Sequence, residues 1–394
     1  MGSTSMERYT VPSPILFGAG AVARLGKVAV ENGMSRPLLV SDRGLAACGL
    51  LEKAQSALTL RRLSFDADRQ TVVDVDSNPT EENVMAALER YREVGADGIV
   101  AFGGGSAIDA AKALRLLTSH DGTLVDYDFL QGGLQKIVAP LPPMVAVPTT
   151  AGTGSEVSRG ALIVTRRGEI VRKTLVASAR LVPNLALLDP ELTVGLPPAL
   201  TAGTGIDALT HGIEEHLSPR FHPAVEALAL GSVERIARAL PAAMLEPENL
   251  EARGDLLLAA LMGGVGFEKG LGVGHSLSHA IGALHPLHHG LINAVLLPFA
   301  LEFNRDHCVA ATWTKLARAL NVPGLTEGGA FESVLAWSLD LRKRLDIPER
   351  LRNLRDLSAD RDEILARAFD DHCHRTNPRP CAPEELKELW EAAY

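Results

Sequence analysis

Five of the twelve histidines fall between positions 275 and 289, in the segment GVGHSLSHAIGALHPLHHG. His275 and His279 stand four residues apart, so on a helix they share one face. Upstream, GIDALTHGIEEH puts Asp207 and His211 at the same spacing on a second helix. Two helices that each offer carboxylate or imidazole at i and i+4 can converge on one divalent cation. Imidazoles with one carboxylate suit Fe2+ or Zn2+ better than Ca2+ or Mg2+, which favour all-oxygen shells. Not all of His275, His279, His285, His288 and His289 can hold one ion. His120, His216, His222 and His307 have no partner pattern and read as ordinary polar residues. His372 and His374 flank Cys373, with Cys381 nearby, but that spacing matches no zinc module.

A second chemistry is written in DGIVAFGGGSAIDAAK, residues 97–112. An apolar strand runs into three glycines and then directly into a helix. Glycine permits a sharp turn and lets a phosphate approach the backbone. The free N–H groups at the helix start suit a pyrophosphate. The competing reading is a plain strand–helix turn, with Ser106 as N-cap and Asp109 completing a capping box. A second loop, Pro148-Thr149-Thr150-Ala151-Gly152-Thr153-Gly154-Ser155-Glu156, also follows a strand and is dense in hydroxyls and glycines. Two such loops at strand carboxyl ends fit the edge where α/β sheets bind nucleotides. Asp42, just after the strand at Leu38–Val40, can accept from both ribose hydroxyls of NAD and would repel the 2′-phosphate of NADP. Alone, it reads more readily as a helix cap.

These residues need elements to hold them. Strands are expected at Arg36–Ser41, Arg61–Phe65, Asp97–Phe102, Pro143–Val147 and Leu185–Leu188. Helices are expected at Gly44–Leu58, Thr80–Val94 and Ser106–Leu117, and a hairpin at Ile163–Val176. That alternation predicts parallel βαβ units. Past Leu196-Pro197-Pro198 the chain reads as helix after helix: Thr201–Leu217, Pro223–Leu240, Pro247–Gly264, Gly274–Leu284, Leu291–Asn304, Val309–Leu320 and Phe331–Leu345. The expected class is α/β plus all-α, divided at about residue 195.

Composition narrows the function classes. With 39 basic and 48 acidic residues among 394, the net charge is −9, and no basic run marks a nucleic-acid partner. The 46% apolar content supports a folded core. No stretch approaches the ~20 apolar residues of a membrane helix. The start, MGSTSMERYT, has no secretory pattern; Met1–Ser5 reads as a cloning remnant, with Met6 the natural start. Four cysteines without a CxxC pair fit the cytoplasm.

Taken together, SPILFGAGA, VDSNPT, GGGSAIDAAK, PTTAGTGSEVS, GIDALTH, HSLSHAIGALHPLHHG and TNPRP resemble the iron-containing (group III) alcohol dehydrogenases over nearly the whole chain. The resemblance implies a Rossmann-like, parallel-sheet dinucleotide-binding domain in residues 1–195. It implies an all-helical metal and substrate domain in 196–394, with the active site between them. The implied metal ligands are Asp207, His211, His275 and His289, for Fe2+ with Zn2+ as a substitute. His279 would stand beside the metal and the nicotinamide without ligating, as a proton relay. Gly104, Gly105, Ser106 and Asp109 would hold pyrophosphate and nicotinamide portions. Thr149, Thr150, Thr153 and Ser155 would contact adenine, ribose or nicotinamide. Asp42 would meet the adenosine ribose, Lys173 the cofactor ribose, and Asn78 would sit beside the cofactor in the NPT turn.

The implied reaction is hydride transfer between NAD(H), rather than NADP(H), and a small primary alcohol or aldehyde, in a homodimer. Two departures stand out: His288 replaces a proline usual before the last ligand, and the approach FEKGLGVGH is one residue short. Phe267 and Lys269 lie in that approach, which borders the substrate pocket in the family. A cation there would favour a hydroxy acid or semialdehyde over a plain alcohol. The competing activities are a maleylacetate reductase, which lacks the ligand set, and a lyase resembling dehydroquinate synthase, whose phosphate-binding basic cluster is not evident here.

Overall fold

A computed structural model describes residues 13–59, 62–168, 170–285, 287–322 and 329–394. The expected remnant at Met1–Ser5 and start at Met6 lie outside them. The first half consists of β1 (Ile15–Phe17), α1 (Leu25–Glu31), β2 (Pro37–Val40), α2 (Arg43–Ala47), α3 (Leu51–Leu58), β3 (Thr71–Val72), α4 (Glu81–Glu93), β4 (Gly98–Gly103), α5 (Gly105–Leu117), β5 (Met144–Pro148), β6 (Gly160–Arg167), β7 (Ile170–Ala177) and β8 (Leu185–Leu188). Six strands form a parallel sheet in the order β1-β8-β5-β4-β2-β3, and β6 with β7 makes a separate antiparallel hairpin. The central strands β2, β4 and β5 are buried along their whole length, which is why they read as unbroken apolar runs. Alternate residues of β4 serve opposite cores: Ile99 and Ala101 on one face, Val100 and Phe102 on the other.

Two expected elements differ. The helix expected over Gly44–Leu58 is split into α2 and α3, because Gly49 adopts a left-handed φ of 75° between them. No strand forms in the described part of Arg61–Phe65. Leu63 and Phe65 pack into the core from an irregular segment, and β2 pairs instead with Thr71 and Val72. The alternation of apolar residues was satisfied by burial without a ladder.

The second half is helical: α6 (Pro198–Leu217), α7 (Pro223–Leu245), α8 (Leu250–Gly266), α9 (Val273–Leu284), α10 (His289–Asn304), α11 (Ala310–Ala319), α12 (Ala330–Arg344), α13 (Leu351–Leu354), α14 (Arg361–Asp370) and α15 (Pro383–Ala393). Helix α6 is buried from Thr201 to Leu217, including its polar residues. A helix buried on every side can carry a charged carboxylate or imidazolium only if it is paired or ligated; otherwise burial neutralises the group, as it does at Glu215, whose carboxyl it pushes well above the usual range. That requirement singles out the site.

Candidate active site

Asp207 and His211 project from α6, His275 from α9, and His289 is the first residue of α10. Asp207 Oδ1 lies 3.9 Å from His211 Nε2, 3.8 Å from His275 Nε2 and 3.6 Å from His289 Nε2. Two donors on a tetrahedral cation, each about 2.0–2.2 Å from it, stand about 3.3–3.6 Å apart. The observed spacing is within a few tenths of an ångström of that. Burial pushes His211 down to about 4 and His289 well below the usual range, so both rings are neutral donors. Burial also opposes charge on Asp207, but the surrounding imidazoles hold it well below the carboxylate range. Burial works against charge on His275 too, yet Glu214 and Asp207 carry it up to about 9. A divalent cation would take the place of that proton. Asp207, His275 and His289 each offer a ligand atom within 4.8 Å of the others and so fit such an ion, with His211 Nε2 standing beside Asp207.

The outer nitrogens are fixed as well. His275 Nδ1 is 2.6 Å from Glu214 Oε2, and the Glu214 carboxylate also accepts from the backbone N–H of Gly272 (2.7 Å) and Gly274 (2.9 Å). One carboxylate thus orients the ligand ring and ties the start of α9 to α6. Ser278 Oγ lies 2.7 Å from His289 Nδ1. Asn293 Nδ2 sits 2.7 Å from Asp207 Oδ1 and 3.2 Å from Nε2 of both His275 and His289, while its buried Oδ1 has no partner among the described residues. Of these, Glu214 and Asn293 had a signal in the sequence. Each lies on the same helix face as a ligand, at i+3 from His211 and i+4 from His289.

Glu214→Gln should lower cation affinity by about 10–100-fold. An amide in that position turns an N–H toward a cluster of donors. Competition with a chelator would measure it, and unchanged affinity would refute the orienting role.

His279 stacks on His289, with ring centroids 5.1 Å apart and planes 15° apart, and its Nδ1 lies 3.0 Å from Asp371 Oδ2. Lys173, on β7, is held among Asp109, Asp371 and Asp207; burial pulls its ammonium below the usual lysine range, and those carboxylates oppose it. Its Nζ lies 3.6 Å from where a Cβ on Gly282 of α9 would be. Phe267 packs edge-on against His211 with centroids 4.8 Å apart.

Lys269 does not line an approach to the ligands. It is 3% exposed, and its Nζ donates to the carbonyls of Glu215 (2.7 Å) and His216 (3.2 Å) at the end of α6. The cation capping a helix C-terminus is favoured by the dipole there. The expectation of an anion-recognising Lys269 is corrected accordingly. Lys269→Met should lower stability by about 1.5–3 kcal/mol through the lost charged hydrogen bonds. It should change kcat/KM for 4-hydroxybutyrate and 1-butanol alike; a loss confined to the acid would reverse that correction.

The loops after β2, β4 and β5 lie side by side at the carboxyl edge of the sheet. They press on one another tightly. A Cβ on Gly105 would come within 2.7 Å of Thr153 Oγ1, and one on Gly104 within 3.4 Å of Thr150 Oγ1. Thr149 N–H donates to the Gly103 carbonyl at 3.0 Å. The capping box of the competing reading, at Ser106 and Asp109, is absent. Gly104 is the N-cap of α5 and supplies no side chain. Ser106 Oγ donates to the carbonyl of Ser77, beside Asn78, at 2.6 Å. Asp109 instead accepts from Ser155 Oγ (2.5 Å) and Leu162 N–H (2.9 Å), stitching α5 to the second loop and to β6. The first amides of α5 therefore have no side-chain cap and face the loop edge. Asp42 caps α2, accepting from Leu45 N–H at 3.0 Å, and its other oxygen lies 3.3 Å from where a Cβ on Gly103 would be. Its carboxylate thus borders the glycine turn.

Residues 12–190 match the iron-containing alcohol dehydrogenases, and residues 201–394 match the C-terminal region of the Fe-containing alcohol dehydrogenase family. The 4-hydroxybutyrate dehydrogenase of Cupriavidus necator is 39% identical over 378 residues, covering 94% of this chain and 96% of that protein. A crystallised 1,3-propanediol oxidoreductase superimposes with a TM-score of 0.92 at 33% identity, covering 99% of this chain and all of that one. The sulfoacetaldehyde reductase of Bifidobacterium kashiwanohense, solved in complex with NAD+, superimposes with a TM-score of 0.85 at 25% identity over 99% of this chain and 99% of that one.

Proposed function

This chain belongs to the iron-containing alcohol dehydrogenase family, and from that premise we propose that it is a metal-dependent oxidoreductase moving a hydride between NAD(H) and a primary alcohol or aldehyde. The observation that carries the reading is the meeting of three imidazoles from α6, α9 and α10 around Asp207. Asp207, His211, His275 and His289 would hold Fe2+, or Zn2+ in its place. When bound, that ion supplies Lewis acidity toward the substrate oxygen.

The chain's own residues do the rest. Glu214, Ser278 and Asn293 hold the donor atoms in register. His279, its Nδ1 engaged by Asp371, offers Nε2 to accept the proton leaving the alcohol hydroxyl. When bound, NAD would supply nicotinamide C4 as the hydride acceptor, the overall products being aldehyde, NADH and one proton. Gly104, Gly105, Ser106 and the amides opening α5 cradle the pyrophosphate. Thr149, Thr150 and Thr153 border the same edge, Asn78 adjoins it, and Asp109 with Ser155 keeps the two loops together. Lys173 would serve the cofactor ribose. Phe267 forms an apolar wall beside His211.

Asp42 would select NAD by repelling a 2′-phosphate. Asp42→Gly should shift the ratio of kcat/KM for NADP over NAD upward by about 10–100-fold, the worth of removing one close like-charge contact. Losing the cap of α2 would affect both cofactors equally, so an unchanged ratio counts against the assignment.

For substrate we read an ω-hydroxy acid and its semialdehyde, supported by the name of the 39%-identical relative. Following NADH absorbance with 4-hydroxybutyrate and 1-butanol tests this. At least about tenfold higher kcat/KM for the acid is expected; equal or reversed values contradict it. We read the domain boundary at 195/196, where strands give way to helices. We also read a cytoplasmic homodimer. No helix of the described residues is long and apolar enough to cross a membrane. Ile15 and Phe17 lie half-exposed on β1, an edge strand of the sheet, which supports the dimer. Sedimentation measures it.

A further inference from the structure

We propose that Asp371 is a positioning residue for proton transfer, fixing the orientation and tautomer of His279. This rests on the reading of His279 as the relay. Asp371 follows α14, 92 residues further along the chain than His279, and no spacing pattern links the two.

Its carboxylate is fully engaged. Oδ1 accepts from Ser276 Oγ and from the backbone N–H of Cys373, both at 2.8 Å. Ser276 Oγ is itself held by the N–H of His374 at 2.8 Å. Oδ2 is thereby turned to His279 Nδ1 at 3.0 Å. The ring of His279 is also gripped on its faces, by His289 at 5.1 Å and by His372 at 6.5 Å between centroids, with planes 15° and 24° apart. His372 Nδ1 stands 3.9 Å from the same Oδ2, and Cys373 Sγ stands 3.9 Å from His279 Nδ1.

A neutral imidazole carries one N–H. A carboxylate that accepts at Nδ1 places that hydrogen there and leaves the lone pair on Nε2, the nitrogen that takes the proton. The same carboxylate stabilises the imidazolium once the proton has arrived. Without it, the ring can hold its hydrogen on Nε2 and offer no base. Asp371 accordingly acts through His279, never on the substrate.

The test compares Asp371→Asn, His279→Ala and the double variant in metal-loaded enzyme. Asp371→Asn should keep full metal content and an unchanged KM for NAD, while kcat falls by about 100-fold. Adding Asp371→Asn to His279→Ala should cost nothing further, because one residue acts through the other. A second readout uses metal-free wild-type protein and does not depend on the variant folding. Beside the far-downfield imidazole N–H signal of His275 on Glu214, wild type should show a second one, and only that second signal should vanish in His279→Ala. Multiplying losses in the double variant, a kcat for Asp371→Asn near wild type, or no such second signal in wild type would each overturn the inference. Full activity in His279→Ala would instead overturn the relay reading on which it rests.

Discussion

Replacing His275 by alanine is expected to abolish tight cation binding and to lower kcat/KM by about 1000-fold or more. The magnitude follows from the several kcal/mol that a Lewis acid contributes to the hydride-transfer barrier. His275 is 1% exposed and faces Asp207 through Nε2 and Glu214 through Nδ1. Its removal deletes a donor and strips the Glu214 carboxylate of one of its three partners. The variant should still fold, because Glu214 keeps the N–H groups of Gly272 and Gly274. Metal analysis of the purified variant, beside NADH-linked rates, checks both halves. Retention of a full complement of metal with activity lost would mean that the ligand set is assigned wrongly.

The second large effect concerns the packing that brings the cofactor loop against the helices. Gly154 adopts a φ of 60° and meets Gly264 of α8 with almost no space between backbones. A Cβ on Gly264 would lie 2.3 Å from the Gly154 carbonyl oxygen and 2.7 Å from its Cα. Both neighbours are backbone, so nothing can rotate away. Gly264→Val should therefore cost about 3 kcal/mol or more, toward the upper end for overpacking. At about 2–4 °C per kcal/mol for a domain of this size, that is a drop in Tm of about 6–12 °C. The loop it displaces carries Thr149, Thr150 and Thr153, so KM for NAD should rise with it. Thermal unfolding and a KM measurement decide; a Tm within 2 °C of wild type, a bound set well below the expected drop, would contradict the close approach.

The sequence made some of this legible for definite reasons. Asp207 with His211 and His275 with His279 share a spacing that only a helix turns into a common face, and all four sit on helices whose ends fall within three residues of the expected bounds. The buried strands β2, β4 and β5 announced themselves by unbroken apolar runs. What lay hidden depends on direction or on distance along the chain. Lys269 stands among glycines in a loop, and composition does not say whether such a chain turns inward to the carbonyls of α6 or outward to a substrate. Asp371 meets His279 across 92 residues. At Ser106 and Asp109 the local pattern also allowed a capping box, but tertiary partners, the carbonyl of Ser77 and the hydroxyl of Ser155, took both side chains. Local rules yielded there to tertiary hydrogen bonds.

The most direct measurement is reconstitution of chelator-treated wild-type enzyme with Fe2+ or Zn2+, following NADH formation and bound metal together. The account predicts that metal-free protein is inactive and that activity returns in proportion to metal. Saturation should come at a single ion per chain, and Asp207→Ala should neither bind the ion nor recover. Undiminished hydride transfer by the metal-free protein, or saturation of Asp207→Ala at the wild-type level, would contradict it.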